Sequence, residues 1–503
     1  MSNLKKLAGQ TLWYGVSSIA ARFINLLLTP YLTRVGTVST ADYGKITIIY
    51  SALPILKVLF TYGFETAYFR FSAKEEFKKT IYSTAFLSLL SSTILFTLLL
   101  WANQASFGKA IGLGDGSADE NIVRLGIIVI ALDTLNTIPF AKLRQESRPI
   151  KYAFVNVGGI LINIFFTWFF VGFCPDYTSK HPQSLINLIY DKTVNPVVYV
   201  MAANVIQSAF TLVLLTSEIR AVRFRFDKRL WKEMMVYSAP LIIVGLGGMI
   251  NETFDRVMLG WWLPGDKQFR EGQVGIYGGC YKLSILITLS VQAFRMAAEP
   301  FFFKQAEAGN PQRIYARVMK FFVIVVTIMF LCVSMYIPIW QFIIGPKYRS
   351  GLGIVPILLL ANIFLGVYYN LAIWFKLANR TTAGATITVT GAVITILINY
   401  IFIPHFGFYA SAWATFFCYL SMMVICFIWG QKAYYVPYAW KKLLAYMIIA
   451  VLIFFIHKGV SALWQNTAFS LGIAVILTLA YLRFVMLIEK KELERIPALK
   501  RFA

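Results

Sequence analysis

Residues 249–262 read MINETFDRVMLGWW, an apolar stretch that nevertheless holds Glu252, Asp255 and Arg256. Carboxylates and a guanidinium at this spacing can neutralise one another, carry a proton or cation, or hold an anion. Other ionisable groups interrupt other apolar runs: Arg22 in the first, Lys57, Glu65 and Arg70 in the second, Asp133 in the fourth, and Lys282, Arg295 and Glu299 in the eighth. In lipid each costs about 2.5–3.5 kcal/mol at a helix centre on insertion scales, so each must face a partner or a watery cavity. Spacing suggests partners for some. Glu252 and Arg256 lie four apart, as do Arg295 and Glu299, which puts each pair on one helix face. Arg22 and Lys57 have no acid three or four residues away in their own runs, so their partners must come from elsewhere in the protein or from a substrate.

In the first, second, seventh and eighth runs the bases are Arg22, Lys57, Arg70, Arg256, Lys282 and Arg295, and the acids are Glu65, Glu252, Asp255 and Glu299. That balance attracts an anion, and a phosphorylated headgroup supplies the missing charge. Arg22, Lys57, Arg256, Lys282 and Arg295 are therefore the candidate substrate-binding bases, with the Asn25 amide beside them for sugar hydroxyls. Asp133, Glu252 and Asp255 are the candidates for coupling to an ion, H+ or Na+.

Little else in the chain suggests a reactive centre. The five cysteines (174, 280, 332, 418 and 426) lack CxxC spacing, and the three histidines (181, 405 and 457) are far apart, so neither a disulfide framework nor a metal site is expected. The glycine-rich GKAIGLGDGS at 108–117 lacks the surrounding strand-to-helix unit of a phosphate loop, and no Walker sequence occurs. No cofactor is expected, and the protein reads as a non-enzyme.

The elements that position these residues follow from composition. Of 503 residues, 58% are hydrophobic and 14% charged, the balance of a membrane protein. A spanning helix needs roughly 20 mostly apolar residues. About fourteen such runs occur, near 11–34, 44–70, 80–102, 121–141, 152–173, 195–217, 234–262, 274–303, 318–344, 352–375, 383–404, 407–430, 440–457 and 466–488. The fold class expected is thus an all-α polytopic membrane protein. The apolar run after MSNLKKLAGQ lacks a small-residue cleavage site and reads as a retained first helix.

The net charge of +24 is distributed in short clusters between the runs, which argues against a nucleic-acid partner. One alternating set of loops carries most of the Lys and Arg and includes both termini, so positive-inside bias places that set and both ends in the cytoplasm. Anionic membrane lipids are the expected partners of this charge. The segment EIRAVRFRFDKRLWKEM, 218–234, interleaves bases with Phe224, Phe226, Leu230 and Trp231, as a segment on the inner membrane surface does. It divides the chain into a six-helix bundle at 1–217, a basic linker at 218–233, a second six-helix bundle at 234–430, and two extra helices with a basic tail at 431–503.

The two bundles share a faint pattern. A helix ending YLTRVG leads to ADYGKITIIYSAL, and a helix ending DRVMLGWW leads to VGIYGGCYKLSIL. Repeated halves of this kind place a substrate site at the bilayer midplane in many secondary transporters. The segment YSAPLIIVGLGGMINETFDRVMLGWW followed by VGIYGGCYKLS resembles the seventh and eighth helices of the polysaccharide flippases in the multidrug/oligosaccharidyl-lipid/polysaccharide exporter superfamily. The matching residues are Ser238, Ala239 and Pro240, then Asp255 and Arg256, then Gly275, Ile276 and Tyr277, with ADYG at 41–44 similar to the first-half element.

The resemblance implies two six-helix bundles in a V around a cationic cavity, followed by two further helices. It implies a bacterial inner-membrane protein that moves an undecaprenyl-diphosphate-linked oligosaccharide to the outer leaflet for O-antigen, capsule or exopolysaccharide, with polysaccharide polymerase or ligase proteins as partner candidates. Arg22 and Arg256 are the positions it carries over as receivers of the diphosphate or acidic sugars. The rival reading within the superfamily is a cation-coupled multidrug exporter, whose cavity wants acids, whereas the first run here has Arg22 and no Asp or Glu. A membrane enzyme acting on lipid-linked sugars needs an acid or base in a sizeable outer loop, and the first such loop offers only Asp42.

Overall fold

The computed structural model describes residues 20–494, apart from 21, 22, 25, 73, 115, 306–310, 379 and 465. Among the described residues every regular element is helical. Hydrocarbon offers no water to backbone N–H and C=O groups, and a helix satisfies them internally. The principal helices are α1 (Leu28–Leu32), α2 (Thr40–Thr61), α3 (Phe64–Ser72), α4 (Ile81–Ala102), α5 (Ser117–Gln145), α6 (Pro149–Trp168), α7 (Pro196–Leu214), α8 (Lys228–Glu252), α9 (Asp255–Trp262), α10 (Lys267–Gln305), α11 (Pro311–Ser334), α12 (Val355–Leu371), α13 (Thr381–Phe406), α14 (Phe408–Ala433), α15 (Trp440–Leu463) and α16 (Thr467–Leu493).

Thirteen helical segments among the described residues are long and apolar enough to cross a bilayer, and they correspond to the second through fourteenth expected spans. The first, 11–34, falls largely outside the described residues. The chain is an all-α, multi-pass membrane protein.

Two spans expected to be continuous are broken. The second stops at Thr61, because Tyr62 and Gly63 adopt left-handed φ of 35° and 76°, and resumes as α3. The seventh stops at Glu252 and resumes at Asp255. The start of α2 is fixed by a capping box, in which the Ser39 hydroxyl accepts from the Asp42 N–H and the Asp42 carboxylate accepts from the Ser39 N–H.

Contacts divide the chain into two compact units, residues 1–279 with 388–414 and residues 280–387 with 415–503. The core of the first gathers Phe64, Tyr68 and Phe71 of α3, Ile81, Phe86 and Leu89 of α4, and Leu230 and Met234 of α8. Here α2 and the first part of α10 run backbone against backbone. A methyl group on Gly44 would overlap the Glu271 carbonyl, and one on Gly275 would overlap the Thr40 carbonyl. Small residues permit such close approach between membrane helices.

The basic segment between α7 and α8 is held to α4 by hydrogen bonds. The Arg223 and Asp227 N–H groups donate to the Ser83 and Thr84 hydroxyls at 2.9 and 3.1 Å, and the Trp231 indole donates to Ser88 at 2.9 Å. In the second unit the buried Glu489 carboxylate of α16 receives Lys320 of α11 at 2.7 Å, Lys442 of α15 at 2.6 Å and the Tyr446 hydroxyl at 2.6 Å, so the last two helices are tied to α11.

Candidate functional site

The break between α8 and α9 brings Asp255 and Arg256 of MINETFDRVMLGWW together and leaves the Glu252 side chain outside the pair. At the break the Thr253 hydroxyl donates to the Ser51 carbonyl of α2 at 3.1 Å. Asp255 and Arg256 then open α9 and are both buried, at 2% and 6% exposure. An acid in a first helical turn is favoured by the helix dipole.

Arg256 Nη1 pairs with Asp255 Oδ1 at 2.9 Å and also donates to the Glu252 backbone carbonyl. The Tyr277 hydroxyl of α10 donates to Asp255 Oδ2 at 2.5 Å, and the Arg256 guanidinium lies 5.8 Å from the Tyr277 ring centre. The expected side-chain pair between Glu252 and Arg256 is therefore corrected. Once the helix is interrupted at 253–254, residues four apart no longer share a face, and the Glu252 side chain is exposed. Nor is Arg256 short of a counterion.

Lys57 behaves differently. Along α2 it is twelve residues after Lys45, roughly 18 Å at the helical rise, and the break at Tyr62 and Gly63 separates it from Arg70 in α3. Its side chain is exposed, and among the described residues its ammonium makes no ion pair or hydrogen bond. Glu65 and Arg70, by contrast, have partners: Glu65 pairs with Arg144, and Arg70 lies 4.2 Å from the Tyr237 ring centre. Lys282 is half-buried in the second unit, where Arg295 sits 4.8 Å from the Tyr369 ring centre. Arg22 and Asn25 lie outside the described residues, and so does the Glu299 side chain.

Asp133, in the middle of α5, accepts the buried Ser208 hydroxyl of α7 at 2.7 Å, while Asn136 donates to the Ser208 carbonyl at 3.3 Å. No base pairs with Asp133 among the described residues. A carboxylate with one hydroxyl donor and an amide beside it can take a proton or a small cation.

A second charged cluster has no sequence motif of its own. Lys45 of α2 meets Asp119 of α5 at 2.8 Å and Glu271 of α10 at 3.8 Å, and Lys267 pairs with Asp119 and lies 3.7 Å from Glu271. Asp119 and Glu271 are buried. Lys267 and Glu271 stand at i, i+4 spacing, but Asp119 is 148 residues before Lys267, Lys45 is a further 74 before Asp119, and the four come together only where the glycine contacts join α2 to α10. At the opposite end of the helices, Glu218 accepts Lys151 at 2.7 Å and Arg148 at 2.9 Å. Burial works to raise the Glu218 pKa, but Lys151 and the Ser217 hydroxyl outweigh it and hold the carboxyl below its usual range.

A family model described as "Polysaccharide biosynthesis protein" matches residues 7–305, more than half of the chain. The chain belongs to the polysaccharide biosynthesis protein family. Among solved structures it is similar to the lipid II flippase MurJ in an inward closed conformation, with a TM-score of 0.70 at 12% identity, covering 95% of this chain and 99% of that one. It is also similar to an inward-facing multidrug resistance MATE family transporter of the MOP superfamily, with a TM-score of 0.63 at 13% identity, covering 87% and 95% of the two chains. A search of curated proteins finds no significant match. These likenesses place the fold of this family member with that of the flippase and the drug transporters. Its DR and GIY motif residues, Asp255, Arg256 and Tyr277, form one bonded, buried set.

Proposed function

We propose that this family member is a flippase that carries an undecaprenyl-diphosphate-linked oligosaccharide from the inner to the outer leaflet of a bacterial cytoplasmic membrane, supplying O-antigen, capsule or exopolysaccharide assembly. The cycle is alternating access, with residues 1–217 and 234–430 as the two moving helix sets and both termini in the cytoplasm. Polymerase or ligase proteins would receive the product.

The observation that carries this reading is Lys57, an exposed ammonium one turn before the end of the apolar helix α2 that pairs with no carboxylate among the described residues. An unpaired cation facing hydrocarbon costs several kcal/mol, and the cost is offset if the group faces water and an anionic cargo. A diphosphate supplies that charge. Arg22, Lys282 and Arg295 are further candidate contacts, and Asn25 a candidate for the sugar. Arg256 and Asp255 take the role of joining α9 to α10. The energetics favour the direction: moving negative charge outward across an inside-negative membrane gains about 2.3 kcal/mol per charge per 100 mV.

One observation favours the multidrug-exporter alternative: Asp133 accepts a single hydroxyl and has no basic partner among the described residues, as suits cation exchange. In the flippase reading the same carboxylate serves as the site of H+ or Na+ coupling. Reconstitution into vesicles separates the two. Movement of a fluorescent polyprenyl-diphosphate sugar across the bilayer is the expected result, and efflux of cationic dyes without lipid movement contradicts it.

A further inference from the structure

An apolar groove of about 770 Å³ runs along α4 in the first unit, with Leu59 and Phe60 of α2 on one wall and Leu95 and Leu99 of α4 on the other. From Ser88 to Leu100 the lining of α4 extends over twelve helical steps, roughly 18 Å of helix. One leaflet of hydrocarbon is about 15 Å deep, half of a typical core. The groove therefore matches the length of an acyl chain.

Its end is built from different chemistry. Phe226 and Trp231 close it, and both belong to the basic segment strapped to α4. Between 220 and 232 that segment carries Arg220, Arg223, Arg225, Lys228, Arg229 and Lys232 against one acid, Asp227. Glu233 is engaged by Arg229 at 3.4 Å and Lys74 at 3.6 Å. Arg223, Arg225, Lys228 and Lys232 are exposed and make no ion pair among the described residues. Beneath them lies a hydroxyl cluster, where Ser88 bonds the Tyr62 hydroxyl at 2.7 Å and Ser92 donates to it at 3.3 Å.

We infer that this groove and the basic segment together form a binding site for one anionic phospholipid, with an acyl chain along α4 and the phosphate headgroup at Arg223, Arg225 and Lys228. Either half alone would be ordinary membrane surface. An apolar slot of leaflet length that ends at a cluster of unpaired cations is selective, because a zwitterionic lipid fills the slot without neutralising the cluster. The bound lipid would also brace the connection between α7 and α8, whose backbone hangs from Ser83 and Thr84. Placement of the headgroup in the inner leaflet rests on the orientation proposed above. The binding itself does not.

The test uses the purified full chain in detergent and needs no transport. Phosphatidylglycerol should raise the thermal midpoint and survive in native mass spectra about tenfold better than phosphatidylcholine, with the preference weakened by salt. Glycerol phosphate alone should do neither, since it lacks the tail. Phosphatidylglycerol with brominated chains should quench tryptophan emission by an increment that Trp231→Phe removes. The double variant Arg223→Gln, Arg225→Gln should lose the preference while retaining chain-dependent quenching, and Leu95→Trp, which fills the slot, should lose both. Equal retention of the two phospholipids, undiminished binding in Leu95→Trp, or displacement of phosphatidylglycerol by polyprenyl phosphate at equal concentration would each overturn the inference. Because the readouts are binding and stability, a transport-dead protein that still selects phosphatidylglycerol leaves this site standing while removing the flippase reading.

Discussion

Asp255 and Tyr277, twenty-two residues apart in sequence, meet at 2.5 Å where the seventh span joins the eighth. The same carboxylate holds Arg256 through its other oxygen, so one buried acid serves a phenol and a guanidinium from neighbouring helices.

Removing that acid leaves a buried guanidinium without its counterion. Asp255→Ala should cost about 3–5 kcal/mol of stability, and Tyr277→Phe about 1.5–3 kcal/mol for a lost bond to a charged group. The double change Asp255→Asn, Arg256→Met should cost less than Asp255→Ala. Thermal unfolding in detergent ranks the three, and a double variant as unstable as Asp255→Ala would show that the pair is not the source of the loss.

The glycine contacts predict opposite signs at different positions. Gly44→Ala and Gly275→Ala push a methyl into a facing carbonyl, and overpacking of this kind costs about 1–3 kcal/mol or more. Gly248, inside α8, has open space around its Cα, so Gly248→Ala should be neutral or stabilising by up to about 1 kcal/mol from helix propensity. Folded yield on size-exclusion chromatography and the thermal midpoint check both.

Much of this architecture was legible in the sequence because lipid imposes a simple rule. A run of apolar residues must be a helix, and thirteen of the expected spans have counterparts among the described residues. The breaks were not legible. Gly63 alone marks the first break, a glycine that a membrane helix also tolerates in its interior, while Thr253 and Phe254 carry neither proline nor glycine, and the seventh span is held open by tertiary bonds such as Thr253 to Ser51. That break is why spacing alone matched Arg256 with Glu252 when its ionic partner is the adjacent Asp255. The Lys45, Asp119, Lys267 and Glu271 cluster was hidden for a related reason, since helical periodicity reports one helix face and says nothing about which helices touch.

Acid should loosen the link between α6 and the short helical turn Thr216–Arg220 that follows α7. The folded Glu218 carboxyl titrates below its ordinary value of 4.5. Its contribution is therefore complete above that pH and is lost as pH falls through the lower folded value. As pH falls below its ordinary value of 4.5, the thermal midpoint of the wild type should fall more steeply than that of Glu218→Gln. Parallel curves would assign the acid sensitivity to other carboxylates.

Asp133→Asn keeps a group able to accept the Ser208 hydroxyl and removes the charge. Folding should be retained, and the transport rate should no longer respond to an imposed proton or sodium gradient. A variant that responds as the wild type does would move the coupling site away from α5.

If Lys57 waits for an anionic cargo, transport must depend on the sign of the charge at position 57. In proteoliposomes of fixed lipid composition, the initial rate of movement of a fluorescent polyprenyl-diphosphate sugar would be compared for wild type, Lys57→Arg, Lys57→Ala and Lys57→Glu at matched protein incorporation. Loss of one charge-assisted contact, about 1.5–3 kcal/mol, should slow Lys57→Ala by at least about tenfold, slow Lys57→Glu further, and leave Lys57→Arg near wild type. Equal rates across all four proteins would contradict the account.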